Sequence, residues 1–435
     1  MKRKGISFIT SAIFLIFISA MPVFASDYSD MTNTLSELGF LDSSKNEGTT
    51  SFRSLLIPVG GRPESLGSAY TGLCDDAGYI NYNAAASCIL TETQASAFHN
   101  SWIADSKMDT LVYTTRIENF GFGLQAGCLY MPFTEYNIFG ERVNTSYYTE
   151  TNFAANASYN FLAGYDFKGF ALGATLKTVF RSVPDYTDND TDSIKSFSGL
   201  AQSGIGIMAD LGLMLQFNIF KYYASREPNF KIGLTAQNMG IALTGDGSSS
   251  GLSPEAIPSY FALGLSYKVT KPITISLDYK QPVNLLDIST FRIPYISAGL
   301  EVAFTESASF IAGFQLKGAH PRISSGLEFE FSKIIFNFNY TLDLTSSINP
   351  LNKFSLSVRL PFGDNGRAEK TKQIDKLYSM GLEYYSQQKW DEAIAVWKKV
   401  LELDKRFDPA IIGITSAQYQ IDMLRMIQES LRLDN

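Results

Sequence analysis

Few residues in this 435-residue chain could do acid–base, metal or thiol chemistry. There are two histidines, His99 and His320, and three cysteines, Cys74, Cys88 and Cys128. Two histidines exclude a histidine-rich metal site and argue against a histidine-based triad, and neither has a local context that pairs it with a nucleophilic serine. Cys74 and Cys88 could bridge or could serve as small apolar residues, and no Cys-x-x-Cys pair points to redox or metal work. The sequence therefore implies no metal, no cofactor and no enzyme. What remains is a set of charges spaced along alternating segments: Lys177, Arg181, Lys268, Asp278, Glu301, Glu328 and Glu330. Away from water an isolated charge is costly, so such groups either pair with one another or orient a charged group of a ligand.

The segments that carry them alternate with period two. Phe153, Ala155, Ala157, Tyr159 and Phe161 are interleaved with Asn152, Asn156, Ser158 and Asn160. Ile273, Ile275, Leu277 and Tyr279 alternate with Thr274, Ser276, Asp278 and Lys280. Such a pattern predicts strands with one apolar and one wet face, and fourteen of them can be placed between residues 92 and 361. Tight turns such as Phe167-Lys168 and Ser332-Lys333 alternate with long polar loops such as Phe133–Thr151 and Val183–Gln202, the short Gly318–Pro321 link being the one exception. An even count with short turns at one end and long loops at the other describes a membrane-spanning barrel. After Ser26 no stretch approaches the roughly 20 apolar residues of a spanning helix. A soluble β-sandwich also alternates, but its wet face should be rich in Lys, Glu and Asp. Here that face is mostly Gly, Ala, Ser, Thr and Asn. In hydrocarbon every backbone N–H and C=O needs a partner within the protein, so the sheet must close.

Composition agrees. Charged residues make up 18% of the chain, against roughly 25% in ordinary soluble domains. The net charge of −7 and the lack of a basic run beyond Lys2-Arg3-Lys4 argue against nucleic acid as a partner, since neutralising phosphates needs a basic face. That basic trio, the apolar core Ile6–Ala20 and the small residues of Val23-Phe24-Ala25 predict an export signal over 1–25, cleaved before Ser26; an uncleaved anchor is the alternative.

Ahead of the first strand lies a run crowded with small residues: Pro58-Val59-Gly60-Gly61-Arg62, Gly67-Ser68-Ala69-Tyr70-Thr71, Asp75-Asp76 and Asn83-Ala84-Ala85. Small residues let backbone approach backbone closely, which suits a compact plug inside a lumen; an N-terminal loop outside the barrel is the other reading. The run resembles the start of the FadL-like outer-membrane long-chain fatty-acid transporters and their PorV/PorQ-like relatives. Pro58, Gly60, Arg62, Gly67, Tyr70, Asp75, Asp76, Asn83 and Ala85 carry the match, and Ala84 stands where the family has a proline. With the strands the resemblance covers about residues 55 to 362, and it looks closest to an uncharacterised spirochaete branch. It implies a barrel plugged by its N-terminal segment that passes hydrophobic small molecules towards a side opening at the third strand. Gly121, Gly123 and Gly127 of that strand face inward and either permit such a gap or make room for the plug.

Past Pro361-Phe362-Gly363-Asp364 the alternation stops and helical spacing begins. Leu377, Gly381, Tyr384, Ala393 and Trp397 match the spacing of a tetratricopeptide (TPR) repeat, and Asp408–Leu433 reads as a further, degenerate helical pair. One repeat cannot bury its own face, so it leans on the second helical pair, on the barrel or on a periplasmic protein. The expected organisation is a signal over 1–25, an N-terminal segment and plug over 26–91, a barrel over 92–362, a linker over 363–370 and a helical domain over 371–435. The expected fold is mainly β: a 14-stranded antiparallel transmembrane β-barrel with a plug and a small TPR-like α-helical domain. Two functions fit. One is transport of long-chain fatty acids or similar hydrophobic cargo across an outer membrane, among whose lipids the barrel would sit. The other is a PorV-like anchor recruiting partners through its tail.

Overall fold

The computed structural model describes residues 51–433 apart from 103–104, 137–138, 186, 189–192, 195–197, 200–201, 246–251, 287–292, 318–319 and 345–350. The expected signal over 1–25 and residues 26–50 lie outside the described residues. Fourteen antiparallel strands form one sheet closed on itself: β1 (Gln94–Ser101), β2 (Lys107–Ile117), β3 (Phe120–Tyr136), β4 (Arg142–Phe161), β5 (Phe170–Ser182), β6 (Gly204–Phe217), β7 (Phe230–Gly245), β8 (Ser259–Thr270), β9 (Ile273–Val283), β10 (Tyr295–Thr305), β11 (Ala308–Lys317), β12 (His320–Phe331), β13 (Ile334–Asp343) and β14 (Leu351–Pro361). The seam is β1 against β14, in register from Gln94↔Pro361 to Ser101↔Phe354. A short strand, Leu252–Glu255, adds to the far end of β7. Closure removes the unpaired edges an open sheet would expose.

The period-two pattern explains the two faces. On β2, Leu111 and Tyr113 are exposed while Met108, Thr110, Val112 and Thr114 are buried. The outer wall carries Phe, Leu, Ile and Tyr, and the inner wall carries buried Asn156, Ser158, Thr175, Ser276, Asn337 and Ser355. No described helix is long and apolar enough to cross a membrane.

Three expectations change in detail. The polar stretch 133–151 is largely strand, because β3 runs on to Tyr136 and β4 begins at Arg142. Its rungs pair through backbone without a clean apolar–polar alternation, exposed Tyr136 and Tyr147 standing among Thr134, Asn144 and Thr145. The turn expected at Phe167-Lys168 is an eight-residue link, since β4 stops at Phe161 and β5 starts at Phe170. Positive φ at Leu162 and Gly169 takes the chain out of the ladder there. On β7 the two consecutive residues Gln237 and Asn238 are both buried, and the register slips opposite Asp210. This bulge, with Asn238 at φ +56°, shifts the alternation by one residue.

The tail is three helices, α2 (Arg367–Ser386), α3 (Trp390–Leu403) and α4 (Asp408–Leu433), with α1 (Arg62–Ser65) lying in the plug. Helix α2 begins inside the linker expected over 363–370, where the Asp364 carboxylate accepts from the amides of Gly366 and Ala368. Residues 408–433 form one helix rather than a pair. Past Pro409, which suits a helix start, no further proline breaks the segment and Gly413 is its only glycine. Trp397, 1% exposed, packs with Phe407, Ala410 and Ala417. Ala393 is buried in the same cluster, and Leu377 and Tyr384 pack against it. Gly381 is required there, because a Cβ would overlap the Trp397 indole.

The tail is held at the short-turn end of the barrel. Asn365 donates to Thr93 Oγ1 at 3.1 Å and to the Arg116 carbonyl at 2.7 Å. Lys370 pairs with Glu118 at 3.1 Å, and Arg226 pairs with Asp375. Tyr165 stacks edge-on with Phe407 at 4.8 Å, and the Tyr165 amide donates to the Arg406 carbonyl at 3.1 Å.

Candidate functional site

The site is the filled lumen. Residues 51–91 start near the long-loop end, where the Ser51 amide donates to the Ala256 carbonyl at 2.8 Å. Phe52 packs there with Val179, Met208, Ala242 and Ile257. The segment then works round the inner wall. Gly60 and Gly61 lie against Ser355 and Ser357 of β14, and Ser65 bonds Asn337 of β13 at 3.2 Å. Asn83 reaches the Leu213 carbonyl of β6 at 3.1 Å, and Tyr79 meets Asn156 of β4 at 3.2 Å. Its own apolar side chains, among them Leu66, Tyr70, Leu73, Tyr79 and Ile80, form the core that the lumen encloses.

Glycine sets the closeness of fit. A Cβ on Gly67 would stand 2.6 Å from the Phe314 amide nitrogen of β11, and one on Gly72 would stand 2.7 Å from the Gly264 carbonyl carbon of β8. Both neighbours are backbone and cannot swing aside. The inward glycines of β3 answer to the same need: a Cβ on Gly121 would overlap the Ser87–Cys88 backbone, and one on Gly123 would overlap the Tyr79 hydroxyl. Gly127 faces the Asn152 side chain. From Phe120 to Glu135, β3 pairs with β4 without a register break. The three glycines thus leave no gap in pairing, and plug and side chains take up the space they free.

A buried ion network ties plug to wall. Arg62 holds Asp75 through two bonds of 3.0 and 2.8 Å and Glu301 of β10 through two of 2.8 and 2.7 Å, with Glu328 of β12 at 3.4 Å. Arg359 of β14 bridges Glu328 at 2.8 Å and Asp76 at 3.5 Å. The Tyr70 hydroxyl lies 2.8 and 2.7 Å from Asp75 and Asp76. Paired guanidinium forks suit this position, since a charge out of water needs both an opposite charge and saturated hydrogen bonds.

The other expected charges divide. Asp278 accepts from the amides of Tyr70 and Thr71 at 3.1 and 2.9 Å, anchoring the plug backbone. Arg181 donates to Ser51 Oγ at 3.1 Å and lies over the Phe52 ring. Lys177 pairs within the wall, 2.6 Å from Asp210, whose other oxygen caps the Asn238 amide of the bulge at 2.7 Å. Lys268 stands 3.9 Å from exposed Glu227, and Glu330 is exposed near the short-turn end; neither joins the network. Sequence reasoning missed Arg359, Asp210 and a second cluster. In it Asp343 meets Arg322 at 2.7 Å and Lys353 at 2.6 Å, with Lys353 Nζ 3.6 Å over Trp102. Glu64 of the plug reaches Asn100 at 3.1 Å. The inward parity of Arg359 and Lys353 on β14 was the available signal.

The plug motif works as a packing code. Pro58 gives its carbonyl to Asn100 at 2.7 Å. The Asn83 side chain donates to the Thr71 carbonyl and accepts from the Ala85 amide, both at 3.1 Å, and so shapes the turn at Ala84 without a proline. Cys74, Cys88 and Cys128 are free thiols, the first two buried.

Two UPF0164 proteins of Treponema pallidum (strain Nichols) are each 27% identical to the chain. One aligns over 419 residues, 94% of this chain and 92% of its own length, and the other over 395 residues, 87% and 77%. Among solved structures, the CymD monoaromatic hydrocarbon channel is 15% identical over 71% of this chain and 99% of its own, with a TM-score of 0.48. The P. putida toluene transporter TodX is 12% identical over 70% and 98%, with a TM-score of 0.46. Matched by the family's sequence profile over residues 29–365, the chain belongs to the uncharacterised protein family UPF0164.

Proposed function

We propose that the protein is an outer-membrane barrel that passes hydrophobic small molecules, long-chain fatty acids being the cargo its resemblance implies. Residues 51–91 are its movable part, and residues 1–25 direct its export. The observation that carries this reading is the pairing of an apolar outer wall with a lumen filled by a separate segment. That segment is held through side-chain ion pairs and hydrogen bonds to the wall. An apolar belt fits a barrel in hydrocarbon, and a plug of reversible bonds can move aside for cargo while water stays excluded. The tail then lies on the periplasmic side with the short turns.

Uptake of a fluorescent long-chain fatty acid into liposomes tests it. Uptake should exceed that of protein-free liposomes. It should fall to that level when Ser65→Cys and Asn337→Cys are oxidised to a disulfide in a chain whose native cysteines are replaced, and return on reduction. Equal uptake with and without protein would overturn the proposal.

A second reading is favoured by the tail. Helix α4 leaves Ile412, Tyr419, Met423 and Ile427 exposed, an apolar surface that suits a periplasmic partner of a TPR-like module. If deleting residues 367–435 leaves uptake intact but abolishes a stable complex in membranes, the tail is a recruiting platform.

A further inference from the structure

Strand β1 differs from its neighbours on its outer face. It is eight residues long, short of the about 9–11 that a membrane-crossing strand needs. Its outward side chains are Ala95, Ala97, His99 and Ser101, whereas β13 and β14 present Phe338, Tyr340, Phe354 and Leu360. The deficit leaves a cavity of about 440 Å³ on the outer wall. Ala95 and Ala97 form its floor, with Leu111 and Tyr113 of β2 and then Leu124 of β3 on one side and Val358 and Leu360 of β14 on the other.

The outward pair next to Ala97–Leu111 is polar. There His99 Nδ1 lies 2.6 Å from Asp109 Oδ1, and the Tyr130 hydroxyl donates to the other Asp109 oxygen at 3.1 Å. His99 and Asp109 are 39% and 51% exposed. Lys107, two residues beyond Asp109 on the same face, is exposed and has no ion-pair partner among the described residues. An apolar slot floored by the β1 alanines thus ends, on the long-loop side, at the His99–Asp109 pair, with the Lys107 ammonium one rung beyond.

We infer that this wall holds one membrane lipid, its acyl chain along Ala95 and Ala97 and its phosphate head group against Lys107 and His99. This rests on the barrel spanning a membrane. An empty slot on the belt would forfeit the dispersion contacts that hydrocarbon makes elsewhere, so a chain fills it. A phosphate beside Lys107 gains a charge-assisted bond that bulk lipid around the remaining wall does not. Continuity with the apolar belt identifies the occupant as lipid rather than soluble ligand.

Intact-protein mass spectrometry from detergent, after exposure to phosphatidylglycerol, tests the site. Wild-type protein should retain one lipid through detergent exchange. Ala97→Phe, which fills the slot from an exposed position, should cut retention at least tenfold, and Lys107→Ala, which touches no packing, should cut it several-fold. Ala298→Phe, outward on β10, should leave it unchanged. Equal retention by wild type and Ala97→Phe would overturn the site, as would equal loss in Ala298→Phe. Failure of the membrane reading is separate: the protein would then stay monodisperse without detergent.

Discussion

Arg62 of the plug and Glu301 of β10, 239 residues apart in the chain, meet through two charge-assisted hydrogen bonds of 2.8 and 2.7 Å. Remove the guanidinium, and Asp75, Glu301 and Glu328 face one another with one fewer cation between them. Breaking a buried pair from one side typically costs about 3–5 kcal/mol. Arg62→Ala is therefore expected to lower the melting temperature in detergent and to turn a quiet barrel into one with frequent conductance steps in a planar bilayer. Unchanged conductance would show that this network does not hold the plug shut.

The Lys177–Asp210 pair gives a cleaner energetic test, because both partners lie in the wall. Lys177→Met strands a fully buried carboxylate beside the β7 bulge and should destabilise by about 3 kcal/mol or more. Lys177→Met with Asp210→Asn keeps an oxygen for the Asn238 amide and should recover much of the loss. A thermal-melt double-mutant cycle reads the coupling; additive losses would mean that the two residues act independently.

Gly72 should not tolerate a side chain. The Cβ of Gly72→Ala would press into the Gly264 backbone, whereas Gly140 has nothing within 4 Å of its own Cβ position. Gly72→Ala should reduce the heat-modifiable folded fraction on electrophoresis severalfold. Gly140→Ala, at φ +79°, should cost only about 1 kcal/mol of backbone strain. Similar folded fractions for the two would argue that the plug is not pressed against the wall.

In the tail, Trp397→Ala should cost about 3–5 kcal/mol of local packing. Limited proteolysis should then cut within 367–433 while the barrel resists. Protection equal to wild type would mean that the barrel turns, rather than the Trp397 cluster, order the helices.

Much of this architecture was legible because alternation is a local signal. A strand such as β13, with Phe336, Phe338 and Tyr340 outward and Asn337 and Asn339 inward, declares both faces within ten residues. The β7 bulge was not legible, since Gln237-Asn238 breaks the period for a reason that lies across the sheet at Asp210. The extended β3–β4 hairpin was hidden because its added rungs mix Tyr136 and Tyr147 with Thr134, Asn144 and Thr145, and no clean alternation marks them. For the plug, residue types revealed small size and charge only as a motif; the wall partners of Arg62 sit more than 200 residues away. The inward glycines of β3 had two readings until Ser87 and Tyr79 were found against them.

The fit between Gly72 and Gly264, and between Gly67 and Phe314, bears on how the molecule is made. Backbone pressed against backbone cannot be threaded past finished walls, and the plug joins the barrel directly at β1, the strand that seals against β14. Biogenesis must therefore wrap the later strands around an N-terminal segment already in place. A cylinder zipped shut too early would trap its own stopper outside, and only reopening the β1–β14 seam could repair it.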